Sequence, residues 1–131
     1  MSPKVLVVDD NPINLKLSCE LLEASDYFVA RANNSEEAIE QIEKLHFDLI
    51  LMDIEMPGMD GLSLTRRLKA DELTREIPVI ALTAFAMKGD EQKAIEAGCS
   101  GYITKPIDTR AFISQISKFL LQSGNEKKGI L

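Results

Sequence analysis

The chain has 131 residues, a formal net charge of -6 and 45% hydrophobic residues, which predict one globular domain with a sizeable core. No basic run is longer than the pair Lys127-Lys128. The charge therefore argues against nucleic acid or an anionic membrane as a direct partner.

We also expect neither a membrane span nor a signal peptide. No apolar run reaches the about 18 residues of a membrane span, and the first strand pattern starts too early for a signal peptide. The two cysteines, Cys19 and Cys99, lie far apart without CxxC spacing. We therefore expect reduced thiols and a cytoplasmic location, rather than a disulfide framework or a zinc site.

Four apolar runs predict buried strands, and a fifth, more polar run predicts a strand at the edge of the sheet. The buried runs are continuous rather than alternating, which indicates that both faces of the sheet are covered, as in a parallel sheet. In chain order the predicted strands are residues 5–8, 28–32 (the edge strand), 49–52, 79–82 and 102–104.

Helical patterns follow each strand. Asn11-Pro12, Ser35 and Asp108 are expected to begin the first, second and fifth helices, and Gly98 is expected to end the fourth. The fourth pattern, residues 87–97, carries little apolar surface beyond Ala94 and Ile95. Elsewhere, apolar residues at helical spacing predict the inward faces, which are Ile13, Leu17 and Leu21; Ala38, Ile42 and Leu45; Leu64 and Leu68; and Phe112, Ile116, Phe119 and Leu120.

Strand and helix alternate five times, so we predict an α/β fold with a doubly wound parallel sheet of five strands and five helices. The domain should span residues 1–122, and the polar residues 123–131 should form a flexible C-terminal tail. In such a sheet the binding crevice lies at the carboxyl ends of the strands.

Polar residues follow four of the predicted strands at this end. Asp9 and Asp10 end the first strand, Asp53 the third, Thr83 the fourth and Lys105 the fifth. Three converging carboxylates would repel one another, and Mg²⁺ removes that conflict because it prefers carboxylate, carbonyl and water oxygens. With Lys105 and Thr83 as donors, the crevice is suited to receive a phosphoryl group.

Each of these residues has a simpler explanation on its own. A single Asp after a strand is most often a helix cap or a turn former, and a pair of aspartates is most often solvated. The joint pattern at successive strand ends is what favours a site. His46 is expected to be a surface residue and Met52 part of the core.

Four motifs carry a resemblance to a known family. The stretches KVLVVDDNPINLKL, DLILMDIEMPGMDGL, IPVIALTAFA and GYITKPID resemble the receiver domain of two-component response regulators over about residues 4–121. ALTAFAMKGDE is similar to single-domain regulators of the DivK type, and DDNPIN to receivers of hybrid histidine kinases. The resemblance implies a flavodoxin-like sheet of order 2-1-3-4-5, as in the family member CheY.

The resemblance also implies a role for each residue of the crevice. Asp53 would accept a phosphoryl group from a phosphohistidine of a histidine kinase or histidine phosphotransfer protein. Asp10, Asp53 and the backbone carbonyl of Glu55 would bind Mg²⁺, for which Mn²⁺ would substitute, and Asp9 would act through water or orient the others. Lys105 would pair with the phosphoryl oxygens. The chain would catalyse only its own phosphorylation and dephosphorylation.

A switch is implied as well. Thr83 would hydrogen-bond to the phosphoryl group, and Tyr102 would move into the space that Thr83 leaves. The change would alter the face made by the fourth helix, fifth strand and fifth helix, where a downstream protein would bind.

The loops beside Asp53 and Thr83 carry further expectations. Pro57, Gly58 and Gly61 would turn the chain so that the Glu55 carbonyl faces the metal. The Lys105-Pro106 peptide would be cis, as in relatives. The Glu55 carboxylate and the Phe85 ring would hinder attack by water and slow the hydrolysis of the acyl phosphate.

Three other interpretations stay open at this point. The chain could be a receiver cut from a hybrid histidine kinase or a multidomain regulator. It could be an aspartyl phosphatase of the haloacid dehalogenase type, although that family places its nucleophile on the first strand. A flavodoxin-like FMN binder is opposed by residues 9–12, where two aspartates would repel the phosphate.

Overall fold

The computed structural model describes residues 2–56, 60–84 and 88–128. Pro57, Gly58 and Phe85 lie outside these ranges. The elements in chain order are β1 (Lys4–Val8), α1 (Pro12–Ala24), β2 (Phe28–Ala32), α2 (Ser35–Lys44), β3 (Leu49–Asp53), α3 (Gly61–Ala70), β4 (Val79–Thr83), α4 (Lys88–Ala97), β5 (Gly101–Thr104) and α5 (Phe112–Lys128).

The five strands form one parallel sheet in the order β2-β1-β3-β4-β5. The predicted fold class, strand order and edge position of β2 are confirmed. β2 lies on one side of β1, and β3, β4 and β5 follow on the other side. The order of the strands therefore changes direction between β1 and β3, whose carboxyl ends lie side by side. In doubly wound sheets this switch point is where the binding crevice lies.

Helices cover both faces of the sheet, which gives two hydrophobic cores. One core joins alternate strand residues such as Val7 and Leu51 to α1 and α5. The other joins the intervening residues, such as Val8 and Met52, to α2, α3 and α4. Successive side chains of a strand point to opposite faces of the sheet. An odd or even position in the strand therefore determines which helices a side chain faces.

The predicted inward face of α1 is wrong at Ile13, whereas Leu21 does pack against the core. Ile13 is 77% exposed, whereas the buried residues of the helix are Leu15, Ser18, Cys19 and Leu22. These residues follow the i, i+3, i+4, i+7 spacing of a buried helical stripe, and the polar Ser18 within it obscured the pattern. Ile13, Leu17 and Leu21 therefore lie on a neighbouring, more exposed stripe.

Helix caps are partly as predicted. Asn11 caps α1, where its side chain accepts hydrogen bonds from the backbone N–H groups of Ile13 and Asn14. The cap of α2 is Asn34 rather than Ser35, because the extended backbone of Asn34 lets its side chain accept the N–H of Glu37 at 2.9 Å. Ser35 is then the first residue of the helix.

The ends of α4 and α5 bear on two predictions. Gly98 follows α4 with φ 107°, a left-handed conformation that favours glycine, so the predicted stop is confirmed. α5 extends to Lys128, so residues 123–128 are helical and the expected boundary at residue 122 is not an end of secondary structure. An interior glycine such as Gly124 costs only about 1 kcal/mol in a helix, too little to end it.

Lys69 closes the amino end of β4. Its ammonium group donates to the backbone carbonyls of Arg75, at 2.9 Å, and Ile77, at 2.6 Å. A Cβ on Gly98 would lie 2.6 Å from the Lys69 Cγ, so the glycine leaves room for the lysine stem. Lys69 therefore links α3, the α3–β4 loop and the end of α4.

A groove of about 420 Å³ lies between α2 and α3 at this same end of the sheet. Its lining residues include Ile42, Leu45, Leu68 and Leu73, and Leu73 is 85% exposed.

Among the described helices, none is both long and apolar enough to cross a membrane.

Candidate functional site

The register of the strands places the predicted polar residues at one end of the sheet. Val8 pairs with Met52 and Asp53 with Leu82, so Asp9 and Asp53 end neighbouring strands at similar heights. The backbone N–H of Lys105 donates to the carbonyl of Thr83 at 2.8 Å, which holds the end of β5 against the end of β4.

Asp9, Asp10 and Asp53 form an acidic cluster at the switch point. Each offers a carboxylate oxygen, and these oxygens all lie within 4.8 Å of one another. Asp9 is fully buried and Asp53 is 1% exposed, whereas Asp10 is exposed. Two negative charges are thus held away from water, with a third at the opening of the crevice.

Lys105 supplies the positive charge that faces this cluster. Its ammonium nitrogen lies 3.2 Å from Asp53 Oδ2 and 3.5 Å from Asp9 Oδ2, and its side chain is 15% exposed. Burial lowers the pKa of Lys105, but the charges of Asp53 and Asp9 outweigh burial, and the pKa is raised overall. Lys105 is therefore held as a cation beside Asp53.

One ammonium group does not compensate the acidic cluster. Burial and the charge of Asp53 raise the pKa of Asp9 to about 6, against the backbone hydrogen bond from Asn11 and the pull of Lys105. The pKa of Asp10 is raised by burial and by the adjacent Asp53 carboxylate. The site therefore has more negative charge than its own cation neutralises.

The residues present fit a divalent cation. Asp9 Oδ2 is buried and has no hydrogen-bond partner within the described residues, with Lys105 as its ion-pair partner at 3.5 Å. A hard cation bound by this cluster would offset the repulsion among the three carboxylates, and a water on that cation would give Asp9 Oδ2 a hydrogen-bond donor. The Mg²⁺ that the sequence resemblance implies therefore fits the residues present.

Hydrogen bonds to the local backbone orient the two buried carboxylates. Asp9 Oδ1 accepts the N–H of Asn11, and Asp53 Oδ1 accepts the N–H of Glu55, each at 2.9 Å. In both cases one oxygen is bound by the chain two residues later, as in an Asx turn. The second oxygen, Oδ2, is directed toward Lys105.

Gly61 has a different role from the one predicted. It is the first residue of α3 rather than a turn residue, and Asp60 caps the helix by accepting the N–H of Ser63 at 2.7 Å. A Cβ on Gly61 would collide with the backbone carbonyl oxygen of Asp53. The absence of a side chain lets α3 begin directly against the backbone of Asp53.

The side chain of Glu55 spans the gap between two loops. Its Oε1 accepts the backbone N–H of Ala84, at the start of the β4–α4 loop, at 2.7 Å. The sequence resemblance implied that the Glu55 backbone carbonyl binds the metal and that its carboxylate hinders water, but it did not indicate this contact with Ala84. The partner lies 29 residues away, so no local pattern could have indicated it.

Thr83 and Tyr102 lie on the α4 face of the sheet. Thr83 is buried, and Tyr102 packs against the core beneath α2, α3 and α4. Tyr102 pairs with Ala81, two residues before Thr83. The charge of Glu91 on α4 raises the pKa of the Tyr102 hydroxyl, which places that hydroxyl beside α4.

The peptide between Lys105 and Pro106 is cis, as expected. His46 is exposed and Met52 is buried, also as expected. Cys19 and Cys99 are both buried and form no disulfide.

Comparison with known proteins gives concordant matches. The family model described as response regulator receiver domain matches residues 5–117. The chain is 48% identical over 120 residues to the polar-differentiation response regulator DivK of Brucella ovis, which covers 92% of this chain and 98% of that relative.

Two solved structures extend the match. A CheY-like response regulator receiver domain protein from Methanospirillum hungatei has a TM-score of 0.88 at 28% identity and covers 96% of this chain and 99% of its own. The receiver domain of a signal transduction histidine kinase from Syntrophus aciditrophicus has a TM-score of 0.84 at 32% identity and covers 92% of each chain. The chain therefore belongs to the response regulator receiver domain family, and not to the haloacid dehalogenase phosphatases or the FMN-binding flavodoxins.

Proposed function

We propose that this receiver takes a phosphoryl group on Asp53 from a phosphohistidine of a histidine kinase or histidine phosphotransfer protein. The observation that carries the proposal is the position of Asp53, whose Oδ2 lies 3.2 Å from Lys105 within a cluster of three carboxylates. Phosphoryl transfer needs positioning and charge neutralisation more than covalent help. The buried end of β3 provides the first, and Lys105 with a metal ion provides the second.

The proposed roles of the remaining residues follow their positions. Asp10 and Asp53, with the Glu55 backbone carbonyl, bind Mg²⁺ or Mn²⁺, which neutralises charge on the phosphoryl oxygens. Asp9 is held by Asn11 and Lys105 and orients the cluster. The chain acts on its own aspartate, with no other substrate.

The output of the proposed switch is the face of α4, β5 and α5. The Thr83 hydroxyl donates a hydrogen bond to the phosphoryl group. Tyr102, which faces the same side of the sheet, enters the space that the Thr83 side chain leaves. A local change of charge then favours one of two packings, and a downstream protein binds the favoured one. Ile95, on α4, is 59% exposed and offers an apolar contact there.

The receiver is proposed to act in the cytoplasm. The buried Cys19 and Cys99, which form no disulfide, support a reducing compartment.

Beryllofluoride, which stands in for the phosphoryl group, tests the proposal by amide NMR. With Mg²⁺ it should shift amides around Asp53 and, through the switch, those of residues 88–110. Thr83→Ala should keep the first set of shifts and lose most of the second. Changes limited to the Asp53 loop in the wild-type protein would contradict the switch, and no change at all would contradict Asp53 as the acceptor.

A further inference from the structure

The contact between Glu55 and Ala84 gives Glu55 a place in the working of the switch, on the basis of the function proposed above. Glu55 follows Asp53 by two residues, and its N–H binds Asp53 Oδ1 at 2.9 Å. Its carboxylate reaches across to the N–H of Ala84 at 2.7 Å. One residue therefore holds the acceptor aspartate with its backbone and the β4–α4 loop with its side chain.

The charge of Glu55 is also felt within the site. Burial lowers the pKa of Lys105, and the charges of Asp53 and Asp9 raise it. The Glu55 carboxylate also raises the pKa of Lys105, by a smaller contribution. The Glu55 carboxylate thus binds at the end of β4 and adds negative charge to the surroundings of Lys105. A phosphoryl group on Asp53 would bring three further oxygens into the same region.

The N–H of Ala84 suits either oxyanion. Backbone N–H groups make strong, charge-assisted hydrogen bonds with carboxylate and phosphoryl oxygens alike. Ala84 follows Thr83, the residue proposed to bind the phosphoryl group, so its N–H lies beside the incoming oxygens. A single N–H donor does not satisfy both anions fully, and the two like charges repel each other.

We propose that the Glu55 carboxylate holds the Ala84 N–H in the unphosphorylated protein and that the phosphoryl group on Asp53 displaces it. Glu55 thereby fixes the resting position of the Ala84 amide and opposes phosphorylation. On transfer, the Ala84 N–H exchanges one oxyanion for another, and the Glu55 side chain is released. Glu55 is a positioning residue, which acts through the donor that it occupies.

Glu55→Gln and Glu55→Ala test this exchange, with Glu37→Gln as the matched control. Glu37 also accepts a backbone N–H, that of Asn33 at 2.8 Å, at the same end of the sheet, but it lies beyond the edge strand. Affinity for beryllofluoride, in the presence of Mg²⁺, should rise about tenfold in Glu55→Ala, the worth of a hydrogen bond to a charged group. Glu55→Gln should lie between, and the control should match the wild type.

The amide resonance of Ala84 provides the second readout, which a simple effect of charge would not produce. Without beryllofluoride, its proton should shift upfield in both Glu55 variants. With beryllofluoride, its position should be the same in the wild type and the variants, because the acceptor is then no longer Glu55.

The outcomes separate this inference from the function on which it rests. If beryllofluoride does not bind the wild-type protein, the proposed function fails, and the exchange fails with it. If it binds but the affinities of all variants are equal, or if the Ala84 resonance of the loaded protein still depends on Glu55, only the role of Glu55 is overturned.

Discussion

The two ends of the sheet bury charge in opposite ways. At the carboxyl end, three carboxylates face one lysine, and the buried Asp9 Oδ2 lacks a hydrogen bond among the described residues. At the amino end, the Lys69 ammonium group donates to two backbone carbonyls. Charge that is buried without full compensation costs stability, so its retention indicates a function, whereas a half-buried ammonium group whose hydrogen bonds go to the backbone belongs to the scaffold.

The largest expected effect separates the two ends by chemistry. With acetyl phosphate and Mg²⁺, the wild-type protein should gain one phosphoryl group, measured by intact-protein mass spectrometry, and Asp53→Asn should gain none. Asp71→Asn, which changes an exposed aspartate at the amino end, should label like the wild type. Equal labelling of Asp53→Asn would show that the uncompensated end does not hold the acceptor.

The next effect concerns the metal. Asp10→Asn removes one negative ligand, so the affinity for Mg²⁺, measured by calorimetric titration, should fall by at least about tenfold. Without Mg²⁺ the free energy of unfolding should rise, because repulsion within the cluster is relieved. Asp26→Asn provides the control, since Asn tolerates the positive φ of 68° found there. A lower stability of metal-free Asp10→Asn would contradict the account of the cluster.

The amino end should show the reverse behaviour. Lys69→Met leaves the carbonyls of Arg75 and Ile77 without their donor, which should lower the free energy of unfolding in urea by about 1–3 kcal/mol. Phosphorylation of Asp53 under native conditions should continue. Lys44→Met, at an exposed lysine in the last turn of α2, should leave the stability unchanged. Loss of labelling in folded Lys69→Met would show that the two ends are coupled.

The smallest effect tests whether the groove between α2 and α3 contributes to the scaffold. Leu73 lines it but is 85% exposed, so Leu73→Ser should change the free energy of unfolding by less than about 0.5 kcal/mol. Leu68→Ala, at a buried position in the same groove, should cost about 2–5 kcal/mol. A large loss from Leu73→Ser in urea unfolding would show that the loop packs more tightly than its exposure indicates.

The sequence predicted the sheet well because continuous apolar runs such as residues 79–82 have few other interpretations. It also predicted the convergence of Asp9, Asp53 and Lys105, because the carboxyl ends of parallel strands lie at one edge of the sheet. Helix faces were less certain. The buried Ser18 on α1 made the apolar periodicity point to Ile13, which is exposed.

Hydrogen bonds from side chains to backbone groups at the ends of strands and helices could not be predicted from the sequence. Neither the bond from Ala84 to Glu55 nor the contacts of Lys69 with Arg75 and Ile77 correspond to a hydrophobic period or a turn motif. In these contacts a side chain forms hydrogen bonds with backbone N–H or C=O groups that have no partner within a helix or strand. The positions of such groups are set only when the helices and strands pack together. Sequence patterns fix the strands more firmly than the joints between them.

The alternation of side chains along the strands has a consequence for how a signal passes through the protein. Asp9 and Asp53 follow Val7 and Leu51 by two residues, so they point to the same face of the sheet, which α1 and α5 cover. Thr83 and Tyr102 point to the other face, toward α4. On the proposed roles, the phosphoryl group on Asp53 acts on Thr83, whose side chain points to the opposite face of the sheet. The carboxyl end of the sheet thereby connects its two helical layers, and the output face at the β5 edge takes α4 from one layer and α5 from the other.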